Sequence, residues 1–435
     1  MALLACAGET VLPVGQDAGS ISDAQLPDSG SPDDAGVASD AGEDASVADS
    51  GAPDAGEVDA GDVDAGQADA GSNPACGFDQ LGPADGPRVV LTSHPFTSDP
   101  QVPGTTIRSL SLAPDATLTD VGQRLDVGTR VARIAFVPRG DVALVLGEDG
   151  TLVSVRVSGP QDLAIIDQVT LPPAGYGDLT LLPDGQTVVV TGTNSTSGGG
   201  LSTVRLACDG HLTVDTALFF PLRLANGAAL APDGVTLWVA GGQALFDPQD
   251  LRDVRVLALQ PGGGFVERGA FDIFTDYLSA ENVALSPDGT TFMVPNGLDF
   301  SNEADELAVL TVSGETLVSA ARLTGLTNLT QVLFAPDGAT LLASRAESNR
   351  VAVLTPGALG WTVVGEIAGI GLATQMAMVT RGSLSGLTLV PSVDTNGMSN
   401  VARLAVDAPG TVRDLGQLDL GMGFEQIPEA IAITP

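Results

Sequence analysis

Between Ala280 and Pro295 the chain alternates short apolar runs with one tight turn: Val283-Ala-Leu-Ser286, then Pro287-Asp-Gly289, then Thr291-Phe-Met-Val294. Such a pattern predicts two antiparallel strands. Proline presets φ at the first turn position, aspartate bonds its own backbone, and glycine tolerates positive φ. The unit recurs as Ile134-Ala-Phe-Val-Pro138, Leu179-Thr-Leu-Leu-Pro183, Ala228-Ala-Leu-Ala-Pro232 and Val332-Leu-Phe-Ala-Pro336. A degenerate copy, Met376-Ala-Met-Val-Thr380-Arg-Gly382, lacks the proline, and Ile431-Ala-Ile-Thr-Pro435 ends the chain. The five internal prolines stand 45, 49, 55 and 49 residues apart, the period of a four-stranded propeller blade or slightly longer.

Three further strands fit between successive turns. After Pro183 they are expected at Thr187–Thr191, Leu201–Ala207 and Leu212–Phe219, and after Pro336 at Ala339–Ser344, Val351–Thr355 and Trp361–Ile367. Short strands, regular turns and no helical period predict an all-β chain. A lone blade exposes both sheet faces, whereas a ring of blades buries each against its neighbour. The last strand, Ile431–Thr434, has no hairpin partner after it, and Ala84 to Thr92 reads as a turn and second strand with no first. The two ends should therefore complete one blade, a Velcro closure, giving a seven-bladed β-propeller over residues 85–435.

Units of the form apolar strand, Ser/Ala-Pro-Asp-Gly, Thr-x-Leu-x-Val resemble the YVTN-type and lactonase-like seven-bladed propellers. The Trp-Asp dipeptide of WD40 blades is absent. The resemblance specifies fold more than function, since propellers host many unrelated activities.

The amino end reads differently. Leu3-Leu4-Ala5-Cys6 resembles the lipobox of bacterial lipoproteins, in which the cysteine is acylated. No basic n-region and no full apolar h-region precede it, so a complete signal would have to lie upstream. Residues 7–84 read as an acidic linker with irregularly repeated Asp-Ala-Gly, too poor in apolar residues to offset the entropy of ordering. It resembles the linkers of Gram-negative envelope lipoproteins. The irregular spacing fails the Gly-Gly-x-Gly-x-Asp requirement of calcium-binding nonapeptide repeats.

Charge narrows the partners. Acidic residues number 54 against 18 basic ones, a net charge of −36, and every basic residue is arginine. Nucleic acid and bare anionic membranes should be repelled. Mean hydropathy is +0.24, yet no apolar run approaches the ~18 residues of a transmembrane helix. Membrane attachment would come only through a lipid at Cys6, and a monomer is expected.

In a propeller the loops leading into the inner strands lie at one mouth of the channel, and the Pro-Asp-Gly turns lie at the other. Polar residues just before the inner strands are Arg133, Asp178, Asn226, Glu281, Asn282, Gln331, Gln375 and Glu429. Hard oxygens from several blades suit Ca²⁺, which takes six to eight. Propeller sugar-lactone hydrolases use a Glu/Asn/Asp set there, so the resemblance implies Glu281, Asn282, Asp178 and Asn226 as the metal set. The alternative is that all four are solvated loop groups. Nucleophilic catalysis finds little support: His94 and His211 pair with no candidate nucleophile, and Gly382-Ser-Leu-Ser-Gly386 fails the Gly-x-Ser-x-Gly spacing. With Cys6 lipidated, Cys76 and Cys208 remain, and a bridge between them is within reach of the chain; two separate thiols are the other reading.

Two functions are thus carried forward. The first is a cell-envelope lipoprotein, periplasmic or at the outer membrane, whose propeller binds a protein, glycan or small ligand without turnover. The second is a Ca²⁺-dependent lactonase-like hydrolase with its site at the channel mouth.

Overall fold

Seven four-stranded antiparallel sheets, one per repeat, make up the computed structural model of the chain. It describes residues 76–93, 104–172, 177–192, 199–222, 225–241, 252–261, 263–274, 282–296, 306–345, 348–358, 360–371, 373, 375–393, 398–422 and 430–435. No helix occurs among them. Blade 1 joins the two ends of the propeller: Ile431–Ile433 pairs with Arg88–Ser93, followed outward by Thr106–Leu112 and Leu118–Asp126. This is the predicted Velcro closure. Blades 2 to 7 begin at inner strands Val131–Phe136, Leu179–Leu181, Gly227–Leu230, Ala284–Leu285, Leu329–Phe334 and Ala377–Met378.

Packing follows directly from the two-residue period of a strand. In the second strand of blade 4, Leu237 and Val239 face blade 3, whereas Trp238 and Ala240 face blade 5. In the matching strand of blade 5, Phe292 and Val294 turn back to blade 4, and Met293 turns to blade 6. Trp238 and Phe292 meet across that junction with ring centroids 5.6 Å apart. Each of the seven junctions holds its own apolar cluster, so the core is a ring of seven interfaces.

The Pro-Asp-Gly turns explain their own composition. Asp233 Oδ1 accepts from the backbone N–H of Val235 and of Thr236, each at 2.9 Å, and Asp337 does the same for Ala339 and Thr340. The glycines have φ near +70°, as at Gly234 (+72°) and Gly289 (+73°). They also meet the proline of the preceding blade. A Cβ on Gly234 would lie 2.8 Å from Pro183, and one on Gly289 2.9 Å from Pro232.

That proline contact is replaced where residues 76–87 run as a strap across the turn face. Cys76 is disulfide-bonded to Cys208 of blade 3, with Cα atoms 4.9 Å apart. Phe78 is fully buried in the junction between blades 2 and 3, with the Arg139 guanidinium 4.5 Å from its ring centroid. A Cβ on Gly185 would stand 2.5 Å from Asp79 N and 2.6 Å from Phe78 C. Further along, Asp85 accepts from Ser383 N at 2.7 Å, and a Cβ on Gly382 would overlap Ala84 O. The Gly382–Gly386 stretch is thus a dock for the strap. Arg88 ties strap to closure by donating to Ala84 O and Thr434 O. The folded unit therefore starts ahead of Asp85, where the composition alone places the boundary: residues 76–84 bury one aromatic and bond one cysteine amid otherwise linker-like residues.

Candidate functional site

At the channel mouth, opposite the turns, two inner strands carry a bulge. In blade 2 the pairing skips from Val131 to Arg133, leaving Ala132 unmatched; in blade 6 it skips from Leu329 to Gln331, leaving Thr330 unmatched. A bulge takes one residue out of the ladder and re-aims its groups. Both freed carbonyls accept from side chains of other blades. Gln375 Nε2 of blade 7 donates to Ala132 O at 2.9 Å, and Asn282 Nδ2 of blade 5 donates to Thr330 O at 2.9 Å.

Arg133 crosses the mouth. Its Nη1 donates to Ala132 O and its Nη2 to Asn282 Oδ1, each at 3.0 Å. Blades 2 and 5 are not neighbours, so this contact spans the channel. Nε lies 3.9 Å from Asp178 Oδ1 of blade 3, beyond hydrogen-bond range, and has no other partner. The guanidinium is half-buried, 19% exposed.

Asp178 is held on both sides. Its backbone N–H donates to Thr191 Oγ1 at 2.7 Å, and its carboxylate accepts from Leu179 N at 2.8 Å and from the Ala228 N–H of blade 4. Gly177 before it permits this seat, since a Cβ there would overlap Thr191 O. Burial pushes the Asp178 carboxyl above the ordinary aspartate range; Arg133 and the two backbone donors pull in the other direction without cancelling it. About a quarter of the side chain still reaches solvent.

Asn282 is buried and adopts φ +39°, a left-handed conformation that asparagine tolerates better than most residues. Gly227 lets blade 4 close against it: a Cβ there would lie 2.9 Å from Asn282 N. Asn226 contacts its surroundings through its backbone, N–H to Ala240 O at 2.9 Å and C=O to Thr191 Oγ1 at 3.4 Å. Thr330 Oγ1 donates to Ala373 O at 2.6 Å. The polar contacts thus run from blade 2 across the channel to blade 5, on to blades 6 and 7, and back to blade 2 through Gln375.

Of the four residues chosen from the sequence, Asp178 and Asn282 converge on one point, Asn226 lies beside them, and Glu281 falls outside the described residues, as does Cys6. The point of convergence carries the Arg133 guanidinium. Among the described residues no group of three or more His, Cys, Asp or Glu could hold a metal ion. A cation of the chain's own, the Arg133 guanidinium, faces both the Asp178 and the Asn282 oxygens. His211 lies elsewhere, on the turn side, with Nδ1 3.2 Å from Asp167. Arg133, Gln375 and Thr330 are the site residues missed by choosing oxygen ligands alone. The available signal was that Arg133 is the one cation among the polar residues preceding the inner strands.

The seven-bladed propeller has many relatives in fold. No protein-family model matches the chain, nor does any curated protein. A proposed 6-phosphogluconolactonase from Bacteroides fragilis superposes with TM-score 0.62 at 13% identity, covering 80% of this chain and 98% of that one. The periplasmic gluconolactonase of Pseudomonas aeruginosa gives 0.59 at 15%, covering 80% and 99%. A Lactobacillus plantarum protein gives 0.63 at 16%, covering 80% and 100%. At these identities the likeness is one of fold.

Proposed function

We propose that the propeller is a lactonase-type hydrolase acting on a sugar lactone at the channel mouth. The observation that carries this is Arg133 beside Asp178, a fixed cation next to a carboxyl whose affinity for protons is raised by burial. Ester hydrolysis needs both. The Asp178 carboxylate takes a proton from water as the water oxygen bonds to the lactone carbonyl carbon. The Arg133 guanidinium, a fixed positive charge beside Asp178, stabilises the carbonyl oxygen as it gains charge. Collapse breaks the bond from that carbon to the ring oxygen, Asp178 returns the proton to the leaving oxygen, and the resulting hydroxy acid ionises by releasing its carboxyl proton to solvent. A carboxyl whose hold on its proton is strengthened by burial suits a group that must both take and give one. The two lactonase neighbours support this reading through their shared shape.

The test is hydrolysis of glucono-1,5-lactone by purified protein, followed by acid release above the spontaneous rate. Asp178→Asn should lower kcat by roughly 10²-fold or more. A wild-type rate equal to the spontaneous one, or full activity in the variant, would sink the proposal. A second reading, an envelope lipoprotein whose propeller binds a ligand without turnover, draws on the acidic linker and on the Cys76–Cys208 bridge, which suits an oxidising compartment. Saturable sugar-acid binding with no lactone turnover would favour it.

A further inference from the structure

We infer that Arg133 is a built-in replacement for a divalent cation, so that the mouth works without metal and turns into a metal site when the guanidinium is removed. The inference stands on contacts alone and does not require that the site hydrolyse a lactone. Three oxygens from three different elements face the guanidinium: Asn282 Oδ1 and Ala132 O at 3.0 Å, and Asp178 Oδ1 at 3.9 Å. A carboxylate, a carboxamide oxygen and a backbone carbonyl are all hard ligands of the kind Ca²⁺ prefers.

Each oxygen is fixed by a contact that does not involve Arg133. Asn282 is oriented by its Nδ2 donation to Thr330 O. Ala132 O also accepts from Gln375 and is aimed by the bulge. Asp178 is seated by Thr191, Leu179 and Ala228. The oxygens should therefore keep their places when the guanidinium is lost. A side chain of charge +1 tethered at the site also excludes a free cation by repulsion and by volume. Charge balance agrees: one arginine matches one carboxylate, whereas Ca²⁺ there would leave a surplus positive charge among the described residues.

The experiment follows thermal unfolding of the full chain with EDTA and with millimolar Ca²⁺. The acidic amino-terminal tract is common to every variant, so the comparison between variants cancels its weak binding. Wild type should show no Ca²⁺-dependent shift that Asp178→Asn removes. Arg133→Met should gain a shift over wild type, and Arg133→Met combined with Asp178→Asn should lose it. With one carboxylate among the ligands the gained site should be weak, with Kd on the order of 10⁻⁴–10⁻³ M. Arg133→Lys keeps a cation in place and should gain nothing. Two results would overturn the inference: a Ca²⁺ shift in wild type that depends on Asp178, or a folded Arg133→Met with no gain. The wild-type comparison stands even if Arg133→Met does not fold.

Discussion

The two ends of the channel are built by opposite rules. At the turn end the same few residues repeat: an aspartate closing its own turn, a glycine at positive φ, and a neighbouring proline against that glycine. At the mouth little repeats beyond two bulged carbonyls, each taking a carboxamide N–H from Asn282 or Gln375. Arg133, Asp178, Asn282, Thr330 and Gln375 come from five blades and otherwise make different contacts. Repetition marks what every blade needs in order to pack. Its loss at the mouth marks where the ring is free to specialise. The turn end has its own departure, the strap, which takes the proline's place at Gly185 and Gly382.

The sharpest way to break this comparison is to add one methyl group at two equivalent turns. Gly185 and Gly338 have nearly the same φ, +65° and +66°. A Cβ on Gly338 meets only Pro287 at 3.7 Å, so Gly338→Ala should cost just the left-handed backbone penalty, about 1–2 kcal/mol. At Gly185 the same carbon runs into the strap backbone, which cannot rotate away as a flexible side chain can. Lifting the strap forfeits much of the burial of Phe78, so Gly185→Ala should cost about 3–5 kcal/mol in denaturant unfolding. With Cys76→Ser and Phe78→Ala already in place, the Gly185→Ala cost should fall to the Gly338 value. Equal costs at both turns in the native strap would show that the strap does not bear on blade 3.

This contrast also explains what could be read from the sequence. The blade count, strand pattern and closure were legible because seven copies of one apolar period average out local noise. Residues 76–84 were not, because a lone phenylalanine and a lone cysteine carry no period at all. The mouth was half legible. Position before an inner strand picked out Asp178, Asn282 and Arg133. Whether they meet depends on two one-residue bulges and on the left-handed backbone of Asn282, and neither leaves a mark in composition. Choosing oxygens for a metal passed over the arginine standing among them.

A smaller effect separates the mouth side from the turns by the sign of its pH response. Asp253, at the mouth end of blade 4, is buried, and its Oδ2 accepts from Ile273 N at 2.7 Å and Phe274 N at 2.8 Å. Burial pushes its carboxyl up to about 6, against the pull of those two donors. The unfolded chain releases this proton near 4. The native state therefore holds it longer, and stability falls as pH rises from about 4 through 6. The loss is on the order of 2–3 kcal/mol. Asp253→Asn keeps an acceptor oxygen and removes the titration, so it should flatten that slope. Guanidinium unfolding at pH 4.5 and 7 would read it, and parallel slopes in variant and wild type would contradict the assignment.

The turn aspartates should respond in the opposite direction and more weakly. Asp288 is held below the ordinary carboxylate range first by the Ser286 hydroxyl and then by Thr290 N–H and hydroxyl. Asp233 is lowered too, by Thr236 and Val235, although partial burial opposes it. A depressed folded value means that stability is fully present above the unfolded value near 4 and is lost as pH falls through the folded one. Asp233→Ala or Asp288→Ala should each cost about 1 kcal/mol at pH 7, the worth of a net hydrogen bond or so in a partly solvated turn. The gap to wild type should narrow as pH falls below about 4. Asp233 and Asp337 stand in blades 4 and 6, which share no junction, so the costs of Asp233→Ala and Asp337→Ala should add in the double variant. A double variant that loses much more than the sum would mean that the turn ring acts as one cooperative hoop, and the division between a modular turn end and a single connected mouth would then have to be redrawn.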